Sequence, residues 1–407
     1  MHQSVNNCRI CGGTKLEPYL DLGTMPLVNN LVDDPRTTSE PKFPLVVLFC
    51  HGCGLSQLSV VVAPEVMFSN YVYRSSISKT FANHCAQLAQ TAQREFGLGA
   101  GDLVVDLASN DGCALREFLP FGVRPLGVDP ARNLAAMATA EGIPTIARFW
   151  SRELAEEIVT DHGHAKIMTA MNVFAHVHDL RSFIQGVARV LAEDGTFIVE
   201  VPYLVDLLKD NIFDTVYHEH LSYYLLNPLI GFCASEGLHV NRADRIDIHG
   251  GTLRLYIQRH PAPHASLQSL LQGEREGGYL SFDRYREFSK CAEKIKRDLV
   301  ATVRSLHAEG KSVAAFGASA KGSIMLNYCG LGRSDILYTV DDTPEKQGKY
   351  MAGTHIPIVS RKILEIQRPD YLLVLAWNFF KEVQAKTAEF REQGGKYLLP
   401  VPSLHVV

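Results

Sequence analysis

Short apolar runs alternate with helical stretches twice along this chain of 407 residues. In the first series, Leu103 to Leu107, Pro125 to Val128, Thr145 to Ala147, Ile167 to Met171 and Thr196 to Val201 have the length and composition of buried strands. Ser312 to Phe316, Ile336 to Val340, Ile356 to Val359, Tyr371 to Leu375 and Tyr397 to Val401 repeat the pattern. Strands separated by helices return parallel to one another, so each series predicts a doubly wound α/β unit. Lys79 to Phe96 reads as an amphipathic helix, with Phe81, Cys85, Leu88 and Ala92 on one face. A long polar-faced helix is predicted over 281–309, closed by Gly310. Residues 202–260 break the alternation and hold a predicted antiparallel pair, Leu238 to Ala243 with Gly251 to Gln258. The residues before Lys79 are spaced by prolines and lack helical periodicity, which fits a loop-rich segment. The expectation is an α/β protein of three domains, 1–78, 79–260 and 261–407, with two Rossmann-like units behind a small loop-rich one. Each is long enough to bury a core.

Composition excludes several partners. Apolar residues make up 46% and charged residues 21%, with a net charge of −4, so nothing electrostatic points to nucleic acid or an anionic membrane. A phosphate-bearing small ligand stays open, because a few local donors bind one. No apolar run approaches about 18 residues. Met1 to Asn7 is polar and lacks the basic and apolar regions of a signal peptide. A cytoplasmic protein is expected, its oligomeric state open and a monomer included. Nine cysteines in a reducing compartment point away from disulfides and toward metal binding or burial.

Cys8-x-x-Cys11 and Cys50-x-x-Cys53 are separated by 38 residues, and each pair sits in a glycine-bearing turn. Such a knuckle lets two thiolates reach one ion, and four thiolates suit structural zinc. The alternative is two buried pairs that coincide in spacing. A closed four-sulfur site leaves no position for substrate, so the metal's role is structural. The other cysteines lack such spacing and read as small buried residues.

Val104 to Gly112 ends a strand in Asp106, passes Ala108, Asn110 and Asp111, and enters a helix. A tight turn of small residues there lets backbone approach a ligand, while acidic and amide groups face the amino-acid end of S-adenosylmethionine (SAM). The next strand ends in Asp129, 23 residues after Asp106, where a carboxylate can accept both ribose hydroxyls. A dinucleotide dehydrogenase is the rival, but its three-glycine fingerprint is missing. The loop glycine common among methyltransferases is replaced by Ala108.

Tyr217-His218-Glu219-His220 follows the first series of strands. Histidine is suited to general base work near neutral pH, a glutamate can orient an imidazole, and a tyrosine can donate to a developing oxyanion. The alternatives are a polar surface loop, or a metal site of His218, Glu219 and His220. Asn172 and His176 follow the strand Ile167 to Met171, at the end that lines the ligand crevice in open α/β sheets. They can equally be turn and cap residues. Gly317 to Gly322 opens a helix with Ser319 and Lys321, a cradle for a pyrophosphate or a plain turn with a solvated lysine. Asp341-Asp342 and Lys346 follow a later strand as nucleotide contacts or a plain helix cap, and Trp377-Asn378 ends another as a pocket wall or a core aromatic.

Together these pieces resemble the sugar C-methyltransferases of deoxysugar biosynthesis, the tetronitrose and mycarose type, over essentially the whole chain. The resemblance rests on the cysteine pairs, Asn110-Asp111-Gly112, Asn172 with His176, Glu219-His220, His249-Gly250-Gly251 and the Gly317 to Gly322 loop. It implies a zinc domain, a SAM-dependent methyltransferase domain, and a C-terminal Rossmann-like domain, with the active site between the last two. His220 would be the base, with Tyr217 and Glu219 beside it. Asn172, His176 and Tyr73, or Tyr71 in its place, would contact substrate. Cofactor contacts fall on Asp106, Ala108, Asn110, Asp111, Gly112, Asp129 and Asn172. His249, Ser319, Lys321 and Lys346 are assigned to the sugar nucleotide. Asp106 stands where relatives more often carry glutamate. The expected reaction is methylation at carbon 3 of a nucleotide-linked 4-keto sugar. The alternatives are O- or N-methylation of another small molecule, or a degenerate methyltransferase fold serving as a binding module.

Overall fold

The computed structural model describes residues 2–69, 74–248 and 250–407. Its largest sheet has seven strands. They lie in the order His239–Ile246, Thr252–Gln258, Leu191–Pro202, Ala165–Met171, Leu103–Leu107, Arg124–Val128 and Thr145–Ile146. The last five run parallel, and the 239–258 hairpin adds two antiparallel strands at one edge. The central Leu103–Leu107 is buried along its whole length, as a strand covered by helices on both faces must be. Strand order reverses between Leu103–Leu107 and Ala165–Met171, which opens a crevice outside their carboxyl ends.

The C-terminal sheet repeats that logic with six strands. Their order is Ile358–Val359, Thr339–Val340, Val313–Phe316, Tyr371–Val374, Lys396–Leu399 and His405–Val406, and only the last is antiparallel. Its reversal falls between Val313–Phe316 and Tyr371–Val374, beneath Gly317 on one side and Trp377 on the other.

The proline-spaced N-terminal segment holds an antiparallel meander, Leu16–Pro26, Lys42–Cys50 and Ser56–Leu58. Phe43, Leu45, Val47 and Phe49 alternate inward along the second strand. That period of two is hidden in the sequence because the outward positions are also apolar. A fourth strand, Ser222–Tyr223, arrives from just beyond the histidine cluster and fastens that cluster to this sheet.

The long helix Phe282–Ala308 packs its Tyr285, Phe288 and Leu299 into one core with Tyr19, Phe213 and Ile324. That core joins the N-terminal sheet, the stretch around the histidines and the C-terminal unit. No helix among the described residues is long and apolar enough to cross a membrane.

Candidate active site

Each cysteine pair closes on a tight turn. Gly12 N–H donates to the Cys8 carbonyl and Gly54 N–H to the Cys50 carbonyl, at 2.9 and 2.8 Å. The four Sγ atoms lie within 4.8 Å of one another, with Cys8 to Cys53 at 3.5 Å and Cys11 to Cys50 at 3.6 Å. Four sulfurs around a zinc at about 2.3 Å sit about 3.8 Å apart, so the cluster fits the ion. It is the only metal-competent group among the described residues, and His218, Glu219 and His220 do not form one. His218 instead points its Nε2 at the Phe43 and Pro44 carbonyls of the N-terminal sheet.

In the seven-stranded sheet, Asp106 is carried to the crevice on Leu103–Leu107. Its Oδ1 accepts from the Thr169 hydroxyl at 2.6 Å. Burial pushes this carboxyl up to about 7; the Thr169 bond offsets part of the shift, while Asp129 and Glu200 add to it. Ala108 and Asn110 both adopt positive φ, 55° and 54°, so Ala108 takes the left-handed turn that glycine would take without strain. Asn110 N–H and Ala131 N–H each donate to one oxygen of Asp129, at 2.8 and 2.7 Å, and brace that carboxylate at the end of its strand. A side chain on Gly127 would strike the Ser109 hydroxyl at 2.5 Å, so glycine lets loop and strand close together. The cleft is lined by Ser75, Phe81, Asp106, Ala108, Asn110 and Met171. A buried acid without a cationic partner, beside a second acid at the adjacent strand end, suits the amino and ribose groups of SAM.

Asp111 and Gly112 do not line this cleft. Asp111 accepts from Ser76 N–H and hydroxyl and lies 3.8 and 3.7 Å from Arg74 and Arg116, so it ties the loop to the turn before Lys79. Gly112, at φ 77°, starts the helix Cys113–Phe118. Both brace the 106–112 loop from behind.

At the other side of the crevice, Asn172 leaves Ala165–Met171 in a left-handed conformation, φ 57°, its N–H on the Glu200 carbonyl. The turn Phe174–His176 follows. Leu221 N–H donates to the Ala175 carbonyl at 2.8 Å, and the Tyr224 hydroxyl to the Phe174 carbonyl at 3.0 Å. These bonds bring the His220 segment against the His176 turn. His176 and His220 stack at 5.1 Å, Tyr217 lies 3.9 Å from His220, and Phe68 stacks on His176 at 5.6 Å.

His220 Nδ1 is 2.8 Å from the Thr215 carbonyl. A carbonyl only accepts, so Nδ1 carries the proton and Nε2 keeps its lone pair. Burial holds His220 well below the ordinary imidazole value, with His176 and Lys321 adding to the shift and the Thr215 bond opposing it. Burial likewise lowers His176, to about 4. Both are neutral at pH 7. The orienting group at Nδ1 is therefore Thr215 rather than Glu219, whose Oε1 accepts from Asn29. Nδ1 has one proton to donate and the Thr215 carbonyl takes it, so Glu219 does not orient the ring through that atom.

Gly317, at φ 103°, passes so close to Ala376 that a Cβ would lie 2.8 Å from the alanine methyl. Ser319 caps the helix Ala320–Cys329 by accepting from Gly322 N–H. Lys321 is partly buried rather than solvated, and its ammonium lies 4.9 Å from the Trp377 ring centre. Lys346 donates to the Ala318 carbonyl at 2.8 Å and lies 3.4 Å from Asp341, so it props up the loop. Asp341 completes that prop by accepting from Ala318 N–H at 2.9 Å. Tyr71, Tyr73 and His249 lie outside the described residues. Thr215, Asn29, Phe68 and Asp214 escaped sequence reasoning, because each acts through a contact that no local pattern announces.

Comparison with known proteins decides the family. The chain is 39% identical to the C-methyltransferase NovU of Streptomyces niveus over 99% of this chain and 97% of that protein. It belongs to the C-methyltransferase family. Residues 247–402 match the C-methyltransferase C-terminal domain, 80–240 a methyltransferase domain, and 8–68 the family described as "Putative zinc binding domain". A SAM-dependent methyltransferase from Clostridium acetobutylicum ATCC 824 aligns at 10% identity over 45% of this chain and 92% of its own, with a TM-score of 0.34. Magnesium protoporphyrin IX methyltransferase from Synechocystis PCC 6803, solved with SAM, aligns at 11% over 44% and 79%, with a TM-score of 0.33. The enzyme is thus a SAM-dependent C-methyltransferase with an N-terminal zinc-binding segment.

Proposed function

We propose that the enzyme methylates carbon 3 of a nucleotide-linked 4-keto sugar, with His220 as the base. A carbon bearing only a hydroxyl is not nucleophilic, whereas a carbon beside a ketone loses its proton to give an enolate. The observation that carries the reading is the His220 tautomer. Its Nδ1–H on Thr215 leaves the Nε2 lone pair unprotonated, with the Tyr217 and His176 rings against the imidazole. Neutral His176, the Tyr217 hydroxyl and the Asn172 amide can donate to the enolate oxygen, and one well-placed donor contributes on the order of 3 kcal/mol in such chemistry. Asp106, Asn110 and Asp129 would hold SAM, which supplies the electrophilic methyl group. The Gly317–Gly322 loop supports the nucleotide end, since amides at a helix N-terminus and the Lys321 ammonium suit a pyrophosphate.

The test is mass spectrometry of the purified enzyme with SAM and a panel of nucleotide-linked 4-keto sugars in deuterated water. We expect a product with a methyl group in place of the carbon-3 hydrogen, and deuterium at carbon 3 of sugar recovered unmethylated. SAM binding without methyl gain or exchange on any keto sugar would remove this substrate class and favour an O- or N-acceptor.

A further inference from the structure

The three-residue turn Phe213–Thr215 serves two masters. Its Thr215 carbonyl sets the His220 tautomer. Its Asp214 side chain, fully buried, reaches the C-terminal unit, where Oδ2 accepts from Trp377 Nε1 at 2.7 Å. Asp214 Oδ1 is buried too and, among the described residues, takes no hydrogen bond from another residue. Lys321 lies over the face of the same Trp377 ring. Its ammonium would be 4.0 Å from a Cβ on Gly250, which places it against the turn after His239–Ile246. Among the described residues Lys321 has no hydrogen bond or ion pair. An ammonium with three donors and no acceptor, set in a largely buried wall, is a cation held ready for an anion.

We infer that Asp214 is a positioning residue that anchors Trp377 and, over its ring, the Lys321 ammonium, where a substrate phosphate docks. The inference rests on the proposed nucleotide-linked substrate. Among the described residues the charged side chain that acts on Lys321 is Asp214, and Lys321 in turn bears on His220 of the same 213–220 stretch. Burial lowers the Lys321 ammonium from its ordinary value and Asp214 opposes that shift. Without the carboxylate, Lys321 would lose its proton at a lower pH and with it its hold on an anion. One turn would then set both the base and the phosphate-binding cation.

The experiment is calorimetric titration of the full chain with thymidine, guanosine and cytidine diphosphate, continuing with the tightest, from pH 6.5 to 10. Asp214→Asn keeps an oxygen for Trp377 and removes the charge; Asp214→Ser serves if the first variant does not fold. We expect the pH at which diphosphate binding weakens to fall by about 1–3 units in either variant, the usual effect of losing a close opposite charge. SAM affinity should not change. Lys321→Arg in the Asp214→Asn background should restore binding at high pH, because a guanidinium stays charged. A merely structural role for Asp214 would weaken binding equally at every pH and resist that rescue, and either result overturns the inference. Lys321→Ala separates the two claims. If it leaves diphosphate affinity unchanged, the phosphate reading of this wall falls and the inference with it. If it weakens binding while Asp214→Asn matches the parent throughout, only the inference about Asp214 falls.

Discussion

Asp106 is retained at a cost to stability, and the cost has a pH signature. Its folded-state carboxyl is raised from 3.8 to about 7, chiefly by burial. Each unit corresponds to about 1.4 kcal/mol, so the shift of about 3 units amounts to about 4 kcal/mol. The sign follows from proton uptake. Between pH 3.8 and about 7 the folded chain holds a proton that the unfolded chain has lost. Stability from this group is therefore complete below 3.8, declines as pH rises, and is gone above about 7. Asp106→Asn removes the charge while its amide oxygen still accepts from Thr169. We predict that the variant's stability relative to the parent, from urea unfolding without SAM, rises by about 3 kcal/mol between pH 5 and pH 8. Calorimetry should show SAM binding to the parent weakening as pH falls through 7, and weak, pH-independent binding to the variant. A relative stability that is flat across this range would refute the assignment of a proton to the buried acid.

Other predictions address the remaining machinery. His220→Asn, whose amide can still donate to Thr215, should lower turnover by about 10²–10⁴ and stop solvent exchange while SAM binding persists. In the parent at saturating SAM, kcat/KM for the sugar should stay level as pH falls through 6.5, since the base titrates well below that value; an acid limb at or above 6.5 under those conditions would contradict this. Cys8→Ser should lose zinc by elemental analysis and melt at a lower temperature, as Cys50→Ser should. Gly317→Ala forces a Cβ to 2.8 Å from Ala376 at a φ of 103°, and should cost about 1–3 kcal/mol of stability and weaken nucleoside diphosphate binding.

Much of this protein was legible from local chemistry. The cysteine spacing announced a four-sulfur site because two close pairs in glycine turns need only meet once. Two series of apolar runs announced two parallel sheets, and candidate residues at strand ends followed from where such sheets open. The N-terminal meander was harder to read, since apolar outward positions mask the alternation of Phe43, Leu45, Val47 and Phe49. Side-chain assignments at the site depended on partners far away in sequence. His220 was readable as a histidine suited to base work, but only the fold shows that Thr215 rather than Glu219 holds its Nδ1. Lys321 and Lys346 look alike as residues near strand ends. Tertiary structure sets the first beside Trp377 with no acceptor among the described residues and commits the second to Ala318. Residue type and spacing determined which groups exist and on which elements they ride. Which groups face each other, and with which proton in place, was decided by packing between distant segments, because burial and hydrogen-bond partners there arise only when the chain has closed.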